Sequence, residues 1–282
     1  MRPVNNAAPI GIFDSGLGGL TVAAALARAL PHESLIYVGD TARCPYGPRE
    51  GRQVRGFVAQ IGTFLARRGV KLIVIACNTA AAAGLSYAQT HGEVPVIGVI
   101  EPGARAAVRA TRRRRVGVIG TEGTIASGAY GDAIAALDAG VAVSAVATPA
   151  FVDLVEEGLS HSYDGDADKV WLPDELYSLA GQYLAPLRQA DIDVLVLGCT
   201  HYPVIARPIA DIMGGGVRII SSAEETAREV AGTLARRGQL APADNEVRYE
   251  FLTTGDPTKF AHLGERIFGA PLKTIEHIDF TE

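Results

Sequence analysis

Short apolar runs rich in β-branched residues alternate along this chain with longer segments whose apolar positions recur at helical spacing. The short runs predict strands at 10–13, 35–38, 72–76, 96–99, 116–119, 141–147, 194–197, 217–220 and 249–252. The longer segments predict helices at 20–30, 50–68, 79–90, 102–110, 124–138, 150–157, 174–188, 204–213, 223–236 and 257–268. Strands and helices taking turns imply βαβ units and parallel sheet. Runs such as LIVIA at 72–76 and VLVLG at 194–198 are apolar at every position, as strands covered by helices on both faces should be.

The pattern occurs twice. A strand, a Gly-rich turn and a helix are read at IGIFDSGLGGLTV and again at RVGVIGTEGTIAS. A strand, a cysteine, polar residues and a helix are read at LIVIACNTAA and again at VLVLGCTHYPVI. The predicted fold is α/β with two similar lobes, each a mostly parallel sheet flanked by helices, and an active site in the cleft between them. The second lobe, 102–211, is inserted in the first, 1–101 plus 212–282. The outward link falls near Glu101-Pro102-Gly103 and the return near Gly214-Gly215-Gly216, where Pro and Gly punctuate the chain.

Composition narrows the class. The 282 residues are 48% apolar and 20% charged, which excludes disorder as the main character. Uncharged apolar runs fall short of the roughly 18 residues a membrane span needs. The opening MRPVNNAAPI lacks the apolar stretch of a secretory signal. A net charge of −5 gives no general attraction to nucleic acid, and the run Arg112–Arg115 reads as a solvated face or loop. The three cysteines, Cys44, Cys77 and Cys199, form no disulfide framework and fit a reducing, cytoplasmic setting.

In open α/β sheets, ligands bind beyond the carboxyl ends of the strands. Four segments fall there: Asp14-Ser15-Gly16, Asp40 to Gly47, Cys77-Asn78-Thr79 and Cys199-Thr200-His201. Three lead into helices, whose N-termini favour anions and raise the thiolate fraction of a nearby cysteine. Taken alone, Cys77 and Cys199 read as small buried hydrophobes, and His201 as a satisfied structural histidine. Two matched cysteines in two matched halves shift the reading toward chemistry. Asn78 and Thr79 are candidate cap and ligand groups. Asp14 can handle a substrate cation or assist a base, or simply cap a turn. Tyr46-Gly47-Pro48 reads as a rigid turn whose backbone donors and phenol can line a pocket. Thr121 can hold a carboxylate. Glu156 reads as a solvated helix-face residue, and Cys44 as a loosely constrained loop thiol.

The Gly-rich turn at 14–19 is a weak dinucleotide motif, with Thr at position 21 where Gly is needed, and it lacks the G-K-[ST] of a P-loop. Cys199 and His201 lack the paired spacing of structural zinc, so no metal is expected. Only four basic residues are lysines (Lys71, Lys169, Lys259 and Lys273), and none stands in a strand-end motif. That argues against a Schiff-base cofactor such as PLP.

FDSGLGGLTV at 13–22, YVGDTARCPYGPR at 37–49, ACNTAA at 76–81 and GCTHYPVI at 198–205 resemble the glutamate racemases. VIGTEGT at 118–124, FVDLVEEG at 151–158 and TTGDPTKFAHLGERIFG at 253–269 extend the resemblance over nearly the whole chain. It implies cofactor-independent interconversion of L- and D-glutamate, which supplies D-glutamate for peptidoglycan. By motif match, Cys77 takes the proton from the D-isomer and Cys199 from the L-isomer. Asp14 assists the first thiol, His201 the second, and Glu156 joins the proton traffic. Asp14, Ser15, Tyr46, Gly47, Asn78, Thr79, Thr121, Thr200 and His201 match substrate-binding positions. The partner implied is a small molecule, without nucleic acid or membrane, and a homodimer is left open. Two positions depart from the family pattern: Cys44, commonly aliphatic, and Thr148, commonly Cys. Neither is expected to touch the motif residues.

Inverting an α-carbon needs a base on one face and an acid on the other, which suits a doubled sequence. Other readings remain: a racemase for another amino acid such as aspartate, a nucleotide-dependent α/β enzyme using the Gly-rich turns, and a two-lobed binding protein without turnover.

Overall fold

A computed structural model describes residues 5–161 and 174–280; Lys169 lies outside them. The chain runs β1 (Ile10–Asp14), α1 (Leu20–Ala29), β2 (Leu35–Gly39), α2 (Gly51–Arg67), β3 (Leu72–Ile75), α3 (Asn78–His91), β4 (Val96–Gly98) and α4 (Ile100–Ala110). It continues as β5 (Arg115–Gly120), α5 (Glu122–Ala126), α6 (Ala129–Leu137), β6 (Ala142–Ala147), α7 (Ala150–His161), α8 (Asp174–Gln189) and β7 (Val194–Gly198). A short 3-10 helix (Tyr202–Ile205) follows, then α9 (Ala206–Met213), β8 (Arg218–Ser221), α10 (Ser222–Arg236), β9 (Tyr249–Thr253), α11 (Pro257–Phe268) and β10 (Ile275–His277).

The strands form two parallel sheets flanked by helices. One has the order β10-β9-β2-β1-β3-β4, the other β6-β5-β7-β8. Each sheet therefore contains the same core order, second strand, first, third, fourth. The order reverses between β1 and β3 in one sheet and between β5 and β7 in the other. Such a reversal opens a crevice at the carboxyl ends of the strands. Cys77 follows β3 and Cys199 follows β7, so both thiols stand at equivalent reversal points.

The buried strands explain the apolar runs. Every residue of β1, β2, β3 and β7 is buried. On α2, Val54, Val58, Ile61 and Leu65 are fully buried, one stripe at helical spacing laid on the core. Each such side chain contributes about 1.5–3 kcal/mol of burial. At the amino end of β3, Lys71 is buried and pairs with buried Glu33 at 2.6 Å. Lys71 Nζ also donates to the Asn6 carbonyl at 2.6 Å and the Gln239 carbonyl at 2.9 Å.

Several elements differ from the sequence reading. The expected helix at 124–138 is two helices, because Gly128 adopts φ +70° between α5 and α6. The helix expected at 204–213 begins as the 3-10 turn. β10 was not predicted; its residues Ile-Glu-His carry no apolar run. Glu101-Pro102-Gly103 is no loop but the first turn of α4, where Pro102 needs no N–H partner. The Gly214–Gly216 run is not the return to the first sheet, since β8 pairs with β7 beyond it, Val194 opposite Arg218. The chain returns only through α10, which packs against both α1 and α4.

Candidate active site

Asp14 closes β1 and is fully buried. Its Oδ2 accepts the Gly16 N–H at 3.0 Å and its Oδ1 accepts the Thr200 hydroxyl at 3.3 Å, a bond between the two sheets. Burial raises its pKa; the charge of His201 and the donors Gly16, Gly19 and Thr200 oppose that.

Cys77 is itself the N-cap of α3, in place of the expected Asn78 or Thr79. Its Sγ accepts the Ala80 N–H at 3.4 Å and donates to Ser15 Oγ at 3.6 Å. Burial pushes this thiol up to about 12, and the Asp14 charge adds to the push. The Ala80 N–H acts downward, as a helix terminus should, but desolvation outweighs it. The Cys199 sulfur also repels a Cys77 thiolate, so each sulfur feels the charge of the other.

Cys199 Sγ lies 3.8 Å from His201 Nδ1, and His201 Nε2 lies 3.2 Å from Glu156 Oε1. Glu156 is therefore no solvated helix-face residue. Burial alone would lower the His201 pKa; the Cys199 sulfur and the Glu156 carboxylate outweigh it and raise it to about 10. The same bond to His201 holds the Glu156 carboxyl below its usual range. At neutral pH an imidazolium thus stands between a sulfur and a carboxylate.

Other contacts bridge the sheets. Thr79 Oγ1 lies 2.8 Å from Thr121 Oγ1 and 3.2 Å from Thr124 Oγ1. Thr121 also caps α5. The Gly123 N–H donates to the Gly47 carbonyl at 3.0 Å, and the Thr21 hydroxyl donates to the Thr200 carbonyl at 3.1 Å. Gly18 permits the closest approach: a Cβ there would stand 2.4 Å from Thr200 Oγ1 and 2.5 Å from His201 Nδ1. Asn78 is buried, its Oδ1 accepting the Tyr130 hydroxyl at 2.7 Å. Its Nδ2 has no hydrogen-bond partner among the described residues, leaving a buried donor beside Cys77 of the kind a ligand carboxylate satisfies.

Three expectations change. The Tyr46 hydroxyl is not free for a ligand; it is buried and donates to Asp40. Cys44 is not loosely held: a Cβ on Gly16 would meet its Sγ at 3.2 Å. Burial raises its pKa, the charges of Glu156, Asp14 and Cys77 add to this, and the Ser15 hydroxyl opposes it. Thr148 also touches a motif residue, donating to the Tyr202 hydroxyl at 2.7 Å while its carbonyl accepts that hydroxyl at 2.9 Å. Asp40, Thr124 and Tyr130 were given no role from sequence. For Asp40 the signal was a charged residue directly after an all-apolar strand.

Among the described residues, no group of three or more His, Cys, Asp or Glu is placed to hold a metal ion, and no helix is long and apolar enough to cross a membrane.

The Asp/Glu/Hydantoin racemase family model matches residues 20–230. A glutamate racemase of Parafrankia sp. (strain EAN1pec) is 49% identical over 95% of this chain and 93% of its own. The crystal structure of a glutamate racemase isoform from Bacillus anthracis superposes with TM-score 0.90 at 42% identity, covering 98% of this chain and 99% of that one. A glutamate racemase of Francisella tularensis, solved in complex with D-glutamate, matches with TM-score 0.88 at 33% identity over 98% and 99% of the two chains. Fold and relatives together define an isomerase of the amino-acid racemase class. Within that class the chain belongs to the aspartate/glutamate racemase family, on its glutamate racemase branch.

Proposed function

We propose that this protein interconverts L- and D-glutamate without a cofactor, by proton transfer between Cys77 and Cys199. A thiolate at Cys199, beside the His201 imidazolium, takes the α-proton of L-glutamate. The Cys77 thiol gives a proton to the opposite face, leaving D-glutamate, a Cys199 thiol and a Cys77 thiolate. The reverse reaction exchanges these roles. Asp14 assists Cys77, and the His201–Glu156 pair assists Cys199. Ser15, Gly47, Asn78, Thr79, Thr121 and Thr200 hold the substrate, with the free Asn78 Nδ2 directed to a carboxylate. Such donors stabilise the enolate charge that develops, each worth about 3 kcal/mol. Tyr46 acts through the turn it anchors.

The observation that carries this reading is the placement of two buried thiols at equivalent strand ends of two sheets with one strand order. Their different surroundings add support. Cys77, held near 12, rests as a thiol and is ready to donate. Cys199 has a cation beside it. In this reading the lobes divide near the start of α4 and the start of α10, and the enzyme works in the cytoplasm, supplying D-glutamate for peptidoglycan.

The deciding assay follows L-glutamate in D₂O. Deuterium enters the D-product before it appears in recovered L-glutamate. Rapid exchange into L-glutamate without inversion contradicts two distinct bases. Running aspartate in parallel separates the two substrate readings.

A further inference from the structure

Asp40 is fully buried directly after β2, at the same carboxyl end of the sheet as Cys77. Its N–H donates to the Asp14 carbonyl at 3.0 Å. Its carboxylate gathers three donors from two segments, the loop after β2 and the end of β9. Oδ2 accepts Arg43 Nε at 2.6 Å and the Tyr46 hydroxyl; Oδ1 accepts the Thr254 hydroxyl at 2.9 Å. Arg43 is braced in turn, its guanidinium 4.1 Å from the Phe57 ring centre and 5.2 Å from that of Phe280. Tyr46 packs on the same Phe57, ring centres 5.2 Å apart. The next residue, Gly47, accepts the Gly123 N–H from the opposite sheet, and a Cβ on it would meet Thr121 at 3.1 Å.

We propose that Asp40 is a positioning residue for racemisation: its carboxylate fixes the Tyr46–Gly47 turn at the height where Gly47 meets Thr121 and Gly123, so the substrate's seat is set before substrate arrives. The proposal rests on the glutamate reading above. The chemistry needs a carboxylate. Three donors from three directions require two acceptor oxygens, and an amide supplies one. Arg43 also needs a counter-charge in this half-buried place. Among the described residues, the bonds of the Asp40 side chain run to the loop after β2 and to the end of β9, so what it orders is the rim of the site.

The test compares Asp40→Asn, Tyr46→Phe and the double variant, by KM and kcat for L-glutamate, calorimetric Kd for D-glutamate, and melting temperature. In Asp40→Asn, KM and Kd rise roughly tenfold or more while kcat stays within about threefold. Tyr46→Phe, which removes one oxygen, moves KM the same way by less. The double variant is no worse than Asp40→Asn, because both remove one linkage. Unchanged KM and Kd in a folded Asp40→Asn overturn the proposal, as do effects that add. If Asp40→Asn does not fold, Tyr46→Phe decides alone, and unchanged KM and Kd there overturn it. A wild-type protein that binds D-glutamate without turning glutamate over defeats the two-thiol reading and leaves Asp40 to be judged by Kd.

Discussion

His201 Nε2 stands 3.2 Å from Glu156 Oε1 while its Nδ1 faces the Cys199 sulfur at 3.8 Å. Among the described residues no imidazole bonds to Cys77, whose neighbours are the Ser15 hydroxyl, the Ala80 N–H and the buried Asp14 carboxyl. The two sheets share a strand order, but the two thiols do not share an electrostatic setting. Twofold chain architecture has been furnished differently on its two sides.

The His201 cation makes stability depend on pH. An unperturbed imidazole titrates at 6.5 and this one at about 10. Its bound proton therefore favours the folded state fully below pH 6.5, and that contribution is lost as pH climbs through about 10. Denaturant unfolding of the wild type and of His201→Asn at intervals from pH 6 to 10 is expected to show a stability gap that changes steadily against the wild type as pH rises. A gap independent of pH contradicts the raised value.

Gly18 is a tight point between the two halves. In Gly18→Ala the new methyl meets Thr200 and His201 within 2.5 Å, and those side chains must move. We expect kcat/KM to fall about tenfold or more, since small misplacements in a site are costly. The check is steady-state kinetics beside a melting curve. Full activity in the folded variant means the seam yields without disturbing His201.

Lys71 and Glu33 test the far end of the sheet. Lys71→Met leaves the buried Glu33 carboxylate without its counter-charge, with the Ala241 N–H still donating to it, and removes bonds to Asn6 and Gln239. Loss of one partner in such a pair costs about 3–5 kcal/mol. Urea unfolding measures it, and adding Glu33→Gln is expected to recover part of the loss. Little change in the single variant shows that the buried charge has found other support.

Much of the framework was legible because it is written locally. All-apolar runs marked β1, β3 and β7, and Asp256-Pro257 with Gly269 bounded α11 at 257–268. The matched cysteines stood out because each directly follows such a run. What escaped depends on contact between distant segments. β10 borrows its place from β9, Ile275 opposite Phe251, and has no apolar period of its own. Thr148 and Tyr202 meet only once β6 and β7 flank β5. The nearness of Cys44 to the Gly16 turn appears only when the loop folds back. The break at Gly128 was legible: Ser127-Gly128 is a breaker pair inside a run read as one helix.

The bonds from Gly123 to Gly47 and from Thr21 to Thr200 fasten one half of the molecule to the other, and Cys77 and Cys199 are each only 6% exposed. On the proposed reading, a glutamate that reaches the thiols between the halves has these fasteners to release and re-engage on each visit. An inhibitor that merely mimics the shape of the fastened state must wait for the same release, so its onset is governed by how often the halves part and not by how well it fits.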